Sequence, residues 1–268
     1  MYVTIDDATY WYEVYGDRDK ETLVVLHGFT SSTKTWTSFI SQWKSDYQLV
    51  LIDLPGHGKT MTPPRTMEAC CRDLHELLTL LKIPSYHLLG YSMGGRTALS
   101  YAMLFPSKVK SIILESASPG LITEEERISR IKQDEQLATR IEKEGIKAFV
   151  SFWENIPLFS TQKLLPTSVQ KQIRMERLSQ SEEGLAQSLR FMGTGRQPSW
   201  WEQLHTWTKP VLLLVGEQDE KFIRINKKMK KHFPNACLTE IKYAGHTIHV
   251  EQAEKFGKIV LDHLHSIQ

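Results

Sequence analysis

The sequence predicts an α/β fold, a mostly parallel central sheet flanked by helices, with a helical lid inserted into it. Three observations predict this. Short, wholly apolar runs such as Thr22–Leu26 alternate with segments of helical spacing, as expected of strands covered on both faces. One such strand runs directly into a glycine-rich turn that opens a helix. Between residues 121 and 207 the strand pattern stops, and the chain turns helical, charged and aromatic before a strand returns at 210–215.

Taken in order, Tyr2–Ile5 and residues 10–15 alternate polar and apolar side chains and read as a hairpin. Thr22–Leu26 (TLVVL) is a buried strand, 36–43 a helix, and 47–51 (YQLVL) a second buried strand leading to Asp53. Residues 66–81 have the length and spacing of a helix, 87–89 form a third strand, 94–105 a helix, and 109–114 (VKSIIL) a fourth buried strand. Strands alternating with helices call for a parallel sheet. The stretch 121–207 carries Trp153, Phe159, Phe191, Trp200 and Trp201 and no convincing buried strand. Residues 210–215 (PVLLLV) and Ala236–Ile241 resume the strands, and 251–264 is a helix. The economical division is a core of 1–120 and 208–268 with a helical lid insertion at 121–207; the plainer alternative is that these helices extend the core.

The 268 residues suffice for a large core, and 41% apolar with 24% charged residues fits a globular protein. A net charge of +2 argues against nucleic-acid binding by bulk electrostatics, so any attraction for anions has to be local. Three cysteines, Cys70, Cys71 and Cys237, do not make a disulfide framework, and no Cys/His cluster has zinc spacing. The N-terminus lacks the basic start and apolar centre of a signal peptide, and no run is long enough for a membrane span. A reducing, cytoplasmic setting is expected, with no membrane or nucleic-acid partner.

The strongest local signal is Gly90-Tyr91-Ser92-Met93-Gly94, a G-x-S-x-G turn between a strand and a helix. The serine needs a tight turn, the glycines let the chain pass closely on either side, and the following helix directs its free N–H groups at the reaction centre. A serine also needs a histidine within reach and an acid to hold that histidine in one tautomer. Two acids compete: Glu115, ending a strand, and Asp219, in the turn Gly216-Glu217-Gln218-Asp219. Asp219 is favoured because that turn delivers a carboxylate from a strand end in the chain order serine, acid, histidine. His246, in Ala244-Gly245-His246, is the best base of ten histidines. His249 is a pocket, supporting or surface residue, and His57 a turn residue. The backbone N–H groups of Phe29, in Leu26-His27-Gly28-Phe29, and Met93 are the candidate oxyanion hole.

Together, L-H-G-F, D-L-P-G-H-G, G-Y-S-M-G-G, G-E-x-D and A-G-H resemble the α/β-hydrolase superfamily over the whole chain. A narrower resemblance rests on Gly90 to Arg96, Ser118-Pro119-Gly120-Leu121, Gly216 to Phe222 and Gly245 to His249. These look like the 2-succinyl-6-hydroxy-2,4-cyclohexadiene-1-carboxylate (SHCHC) synthases of menaquinone biosynthesis. The resemblance implies a lyase that eliminates pyruvate from a small polycarboxylate substrate and needs no metal or organic cofactor. Before Pro119 the chain has Glu115-Ser116-Ala117-Ser118 where that family often has glycines and a histidine, so no role is carried onto Ser116 to Ser118.

Carboxylates call for guanidinium groups. Arg96 lies one helical turn after Ser92; the resemblance suggests Arg130 in the lid, with Arg127 as its rival, and Arg177 as a second lid candidate. Tyr91 and Trp153 are candidate pocket walls. The implied chemistry is proton abstraction by Ser92, polarised by His246 and Asp219, followed by loss of pyruvate. An esterase or carbon–carbon hydrolase using the same three residues covalently, and a receptor on this fold, are the alternatives.

Overall fold

The computed structural model describes residues 1–267. Eight strands form one sheet: β1 (Tyr2–Ile5), β2 (Ala8–Tyr15), β3 (Thr22–Leu26), β4 (Gln48–Ile52), β5 (Tyr86–Tyr91), β6 (Val109–Glu115), β7 (Val211–Gly216) and β8 (Ala236–Ile241). Their order is β1-β2-β4-β3-β5-β6-β7-β8. Only the β1–β2 and β2–β4 pairs are antiparallel. Every residue of β3, β4, β5 and β7 is buried, which is what their unbroken apolar runs encode.

Helices cover both faces. On one, α1 (Thr37–Trp43) and the C-terminal helices α8 (Ile248–Glu251) and α9 (Ala253–Ser266) bury Phe39, Trp43, Ile248, Phe256 and Val260 against Leu23, Val25 and Leu89. On the other, α2 (Met67–Leu80), α3 (Met93–Leu104) and α7 (Glu220–His232) contribute Leu74, Leu78, Leu99, Tyr101 and Met229 to the larger core. The helix of 36–43 begins one residue later, behind a 3-10 turn (Thr33–Trp36) capped by Ser32. The C-terminal helix is broken at Gln252 (φ −139°, ψ 53°) into α8 and α9. α7 was not anticipated at all. Its sequence is mostly cationic and only Asn226 and Met229 are buried, so its apolar periodicity is thin.

Between β6 and β7 no strand occurs. This stretch holds α4 (Glu124–Trp153), α5 (Thr167–Leu178) and α6 (Glu182–Met192). Thr123 and Glu126 close a capping box on α4. The helix breaks at Gly145 (φ 80°, ψ 166°), where Glu182 Oε1 accepts from the Ile146 N–H at 2.8 Å. α4 and α6 share a small core of their own, Ala138, Ile141, Phe149, Val150, Leu185, Ala186 and Leu189, against which Phe29 of the main body packs. The last part of the stretch behaves differently: Trp200, Leu204 and Trp207 pack with the sheet's core. Among the described residues no helix is long and apolar enough to cross a membrane, and all three cysteines are free.

Candidate active site

Parallel register brings the C-terminal ends of β3, β5, β6 and β7 to one level, with Leu26 beside Gly90, Tyr91 beside Glu115, and Glu115 beside Leu214. The loops leaving these ends meet there, as is usual in open α/β sheets.

Ser92 sits at the junction of β5 and α3 with φ 49° and ψ −104°, a strained conformation for a residue with a Cβ. Glycines make the turn feasible. A Cβ on Gly90 would stand 2.3 Å from the Gly94 carbonyl oxygen, and one on Gly94 would stand 2.3 Å from that of Leu26. Both obstacles are backbone. We therefore expect Gly94→Ala to cost about 2–4 kcal/mol and to displace the serine turn. Urea denaturation with a parallel activity assay checks this, and wild-type stability would refute it.

His246 lies buried beside Ser92. Its Nε2 accepts from Ser92 Oγ at 3.0 Å, and its Nδ1 donates to Asp219 Oδ2 at 2.7 Å. The other Asp219 oxygen accepts from the Phe222 N–H at 3.2 Å, capping α7. Glu251 holds the His246 loop from both sides, accepting from the N–H groups of Gly245 (2.7 Å) and Thr247 (3.2 Å). Glu115 is occupied elsewhere. It forms a fully buried pair with His249 at 2.9 Å, and His249 Nε2 meets Thr35 Oγ1 at 3.0 Å. Of the two competing acids, Asp219 faces His246 and Glu115 faces His249.

Ser92 and His246 open into a cavity of about 470 Å³. Phe29 and Met93 line it beside the serine, and Tyr91 and Trp153 form wall. Trp153 stacks on Phe149 (5.5 Å between centroids) and meets Phe29 and Phe159 edge-on. The Tyr91 hydroxyl bonds to Thr247 Oγ1 at 2.8 Å, and burial pushes its pKa up. Arg96 also lines the cavity. Its NH1 donates to the Met192 carbonyl (2.9 Å) and Gln197 Oε1 (3.0 Å); among the described residues no carboxylate is hydrogen-bonded to it, though Asp134 acts on it through space. Burial, with the neighbouring Arg130, pulls its pKa down to about 10, still well above neutral. Arg130 reaches the same cavity while held by Asp134 at 2.8 Å, and its rival Arg127 is not part of the wall.

Arg177 lies apart from the serine's cavity. It lines an adjoining space of about 170 Å³ that shares Phe29, Tyr91 and Phe159 with the larger one. There its NH2 donates to Gln162 Oε1 at 3.0 Å and its guanidinium lies 4.5 Å from the Phe159 ring. Gln162 Nε2 in turn donates to Thr247 Oγ1 at 2.9 Å, so a chain of hydrogen bonds links Arg177 to the residues beside Ser92 and His246. His57 is structural: its Nδ1 donates to the Pro55 carbonyl at 3.0 Å and its Nε2 accepts from the Thr30 N–H at 3.1 Å.

Sequence reading missed Lys221, Arg224 and Lys228, which line the cavity from α7. Their spacing of three and four residues directly after Asp219 was the available signal. Phe222 was missed as well; its ring lies 4.6 Å from that of His246.

The description of the α/β hydrolase fold family matches residues 21–253. A Bacillus subtilis (strain 168) protein provisionally named 2-succinyl-6-hydroxy-2,4-cyclohexadiene-1-carboxylate synthase is 44% identical over 99% of this chain and 98% of its own length. The chain belongs to the α/β-hydrolase family of SHCHC synthases. A further member, the SHCHC synthase of Photorhabdus laumondii, is 32% identical over 91% of the chain and 86% of its own. The solved structure of MenH from S. aureus superposes on this SHCHC-synthase family fold with a TM-score of 0.93 at 39% identity, covering 96% of this chain and 98% of that one.

Proposed function

We propose that this chain eliminates pyruvate from 2-succinyl-5-enolpyruvyl-6-hydroxy-3-cyclohexene-1-carboxylate, giving SHCHC in menaquinone biosynthesis. The observation that carries the reading is the Ser92–His246–Asp219 hydrogen-bond chain opening into a cavity whose wall holds Arg96 with no carboxylate hydrogen-bonded to it among the described residues. A hydrolase needs the first feature; a polycarboxylate substrate calls for the second as well.

In this reading Ser92 Oγ takes the proton from the ring carbon next to the succinyl carbonyl while passing its own to His246 Nε2. The freed electron pair becomes a ring double bond, the existing double bond moves one carbon along, and the C–O bond to the enolpyruvyl group breaks. The departing enolate takes up a proton at carbon and becomes pyruvate. Asp219 stabilises the imidazolium formed in the step. The N–H groups of Phe29 and Met93 hold the charge that develops on the succinyl carbonyl oxygen, worth about 3 kcal/mol per donor in comparable chemistry. Ser92 is never acylated. Arg96 and Arg130 hold carboxylates in the serine's cavity, Arg177 acts from the adjoining one, and Tyr91 and Trp153 wall the ring. Residues 1–120 and 208–268 serve as the core and 121–207 as a lid, acting in the cytoplasm without a cofactor.

The test is continuous measurement of pyruvate from this substrate beside hydrolysis of an activated ester. Fast ester turnover without pyruvate would overturn the proposal in favour of a covalent hydrolase. Arg96→Ala is expected to raise KM for the polycarboxylate about 10- to 100-fold, the loss of one charge-assisted hydrogen-bonding group. Kinetic constants equal to wild type would remove Arg96 from the site.

A further inference from the structure

Charge is distributed unevenly in this protein. The whole chain carries a net charge of +2. The wall of the serine's cavity alone carries five cationic side chains, Arg96, Arg130, Lys221, Arg224 and Lys228, against one carboxylate, Glu126. That carboxylate is engaged, accepting from the N–H groups of Ile122 and Thr123.

Three of the five cations come from α7, and their positions are ordered. The helix starts at Asp219, which accepts from Phe222 N–H and faces His246. Lys221, Arg224 and Lys228 follow at steps of three and four residues, hence on one face of about 60°. A rise of 1.5 Å per residue puts Lys228 roughly 10 Å farther along the axis than Lys221. The stripe thus leads away from the catalytic acid. All three side chains are exposed. Arg224 shares an exposed contact with Glu220 at 3.5 Å, which is worth little in water. Among the described residues neither lysine is in an ion pair; Lys228 lies 4.6 Å from the Trp201 ring. The same helix carries Lys227 and Lys230 on its other sides, and α9 carries the exposed Lys258; none of these three lines the cavity, and Lys227 is paired with Glu240 at 2.8 Å.

We infer that the Lys221–Arg224–Lys228 face of α7 is an electrostatic capture site that draws small polycarboxylates of high negative charge into the cavity. Exposed cations are poor at gripping one carboxylate in a fixed geometry but effective at raising the local concentration of a multiply charged anion at a cleft mouth. The inference rests on the proposed reaction for its substrate, whose succinyl, enolpyruvyl and ring carboxylates make it a trianion, but not for its physics. Arg96, beside Ser92, holds what this face delivers.

The experiment compares two triple variants of the intact protein. One is Lys221→Gln/Arg224→Gln/Lys228→Gln. The other, Lys227→Gln/Lys230→Gln/Lys258→Gln, removes the same charge outside the cavity. kcat/KM for pyruvate release is measured from about 0.01 to 0.2 M salt, a range over which the screening length shrinks from roughly 30 Å to under 8 Å. We expect the wild type to lose about tenfold across this range. The inner variant should be about tenfold lower at low salt, with the loss in KM, and nearly flat in salt. The outer variant should follow the wild type within twofold. Equal losses in both variants would overturn the inference in favour of net charge alone, and an inner variant as salt-sensitive as the wild type would overturn it outright. Calorimetric binding of citrate, a tricarboxylate probe that needs no turnover, separates this from the reaction itself. If the wild type releases no pyruvate yet binds citrate more tightly than the inner variant at low salt, the capture site stands and the assigned reaction falls. Citrate binding unaffected by the inner substitutions counts against the capture site.

Discussion

Ser92→Ala is expected to lower kcat/KM for pyruvate release at least about a thousandfold and to leave the fold intact. The size follows from the geometry. Ser92 Oγ is the atom that His246 Nε2 meets at 3.0 Å, and the imidazole is fixed on its far side by Asp219 at 2.7 Å. Removing the hydroxyl leaves the imidazole aimed at the space where Oγ stood. General acid–base catalysis is worth roughly 10²–10⁴, and members of such a unit fail together rather than additively. The stability cost is small because only one oxygen is lost and alanine relieves none of the backbone constraints set by Gly90 and Gly94. The check is single-turnover pyruvate release together with thermal unfolding. Activity within tenfold of the wild type would show that His246 takes the substrate proton directly. Ser92→Cys separates the roles further: accumulation of a covalent adduct on the thiol would argue for a nucleophile and against the elimination.

The second large effect is on stability in acid. His27 and His57 are buried side by side with ring centroids 5.2 Å apart. Each acts as a neutral ring: His27 Nε2 accepts from the Leu54 N–H at 2.9 Å, as His57 Nε2 does from that of Thr30. Burial pulls the His27 pKa down to about 4 and, with the neighbouring His27 adding to it, that of His57 down to about 3. Both lie below the unfolded value of about 6.5, so under that pH the unfolded chain binds more protons than the folded one. The stabilisation is therefore complete above pH 6.5 and is lost as pH falls through 6.5 toward 4 and 3. Each group contributes about 1.4 kcal/mol per pH unit inside its window. Urea denaturation at pH 7, 5.5 and 4.5 should show the decline, and His57→Gln, which keeps an acceptor for Thr30, should flatten it. A slope equal to wild type would exclude His57 as a source.

The legible parts of this protein were those encoded locally. β3, β4 and β7 declare themselves because burial on both faces demands unbroken apolar runs. Ser92 declares itself because its turn demands glycines at fixed offsets, and Asp219 and His246 follow from the order of strand ends. What the sequence hid depends on distance in space. Nothing near Glu115 reveals that His249, 134 residues away, holds it. Arg177 has helix spacing like any arginine of the 121–207 helices, yet Tyr91, Phe29 and Phe159 stand between its cavity and the serine's. In the sequence nothing separates Lys221, Arg224 and Lys228 from the cations of any solvated helix face, and only the position of α7 beside the cavity distinguishes them from Lys227 and Lys230.

Asp219 divides its two oxygens between the first turn of α7 and the imidazole of His246. The aim of the proposed base is thereby tied to the cooperativity of a thirteen-residue helix. Fraying of that helix from its start would release the carboxylate and the imidazole in the same event. Amide exchange at Phe222 should then report how often the catalytic geometry is lost, and the protection of one backbone N–H becomes a clock for the readiness of the site.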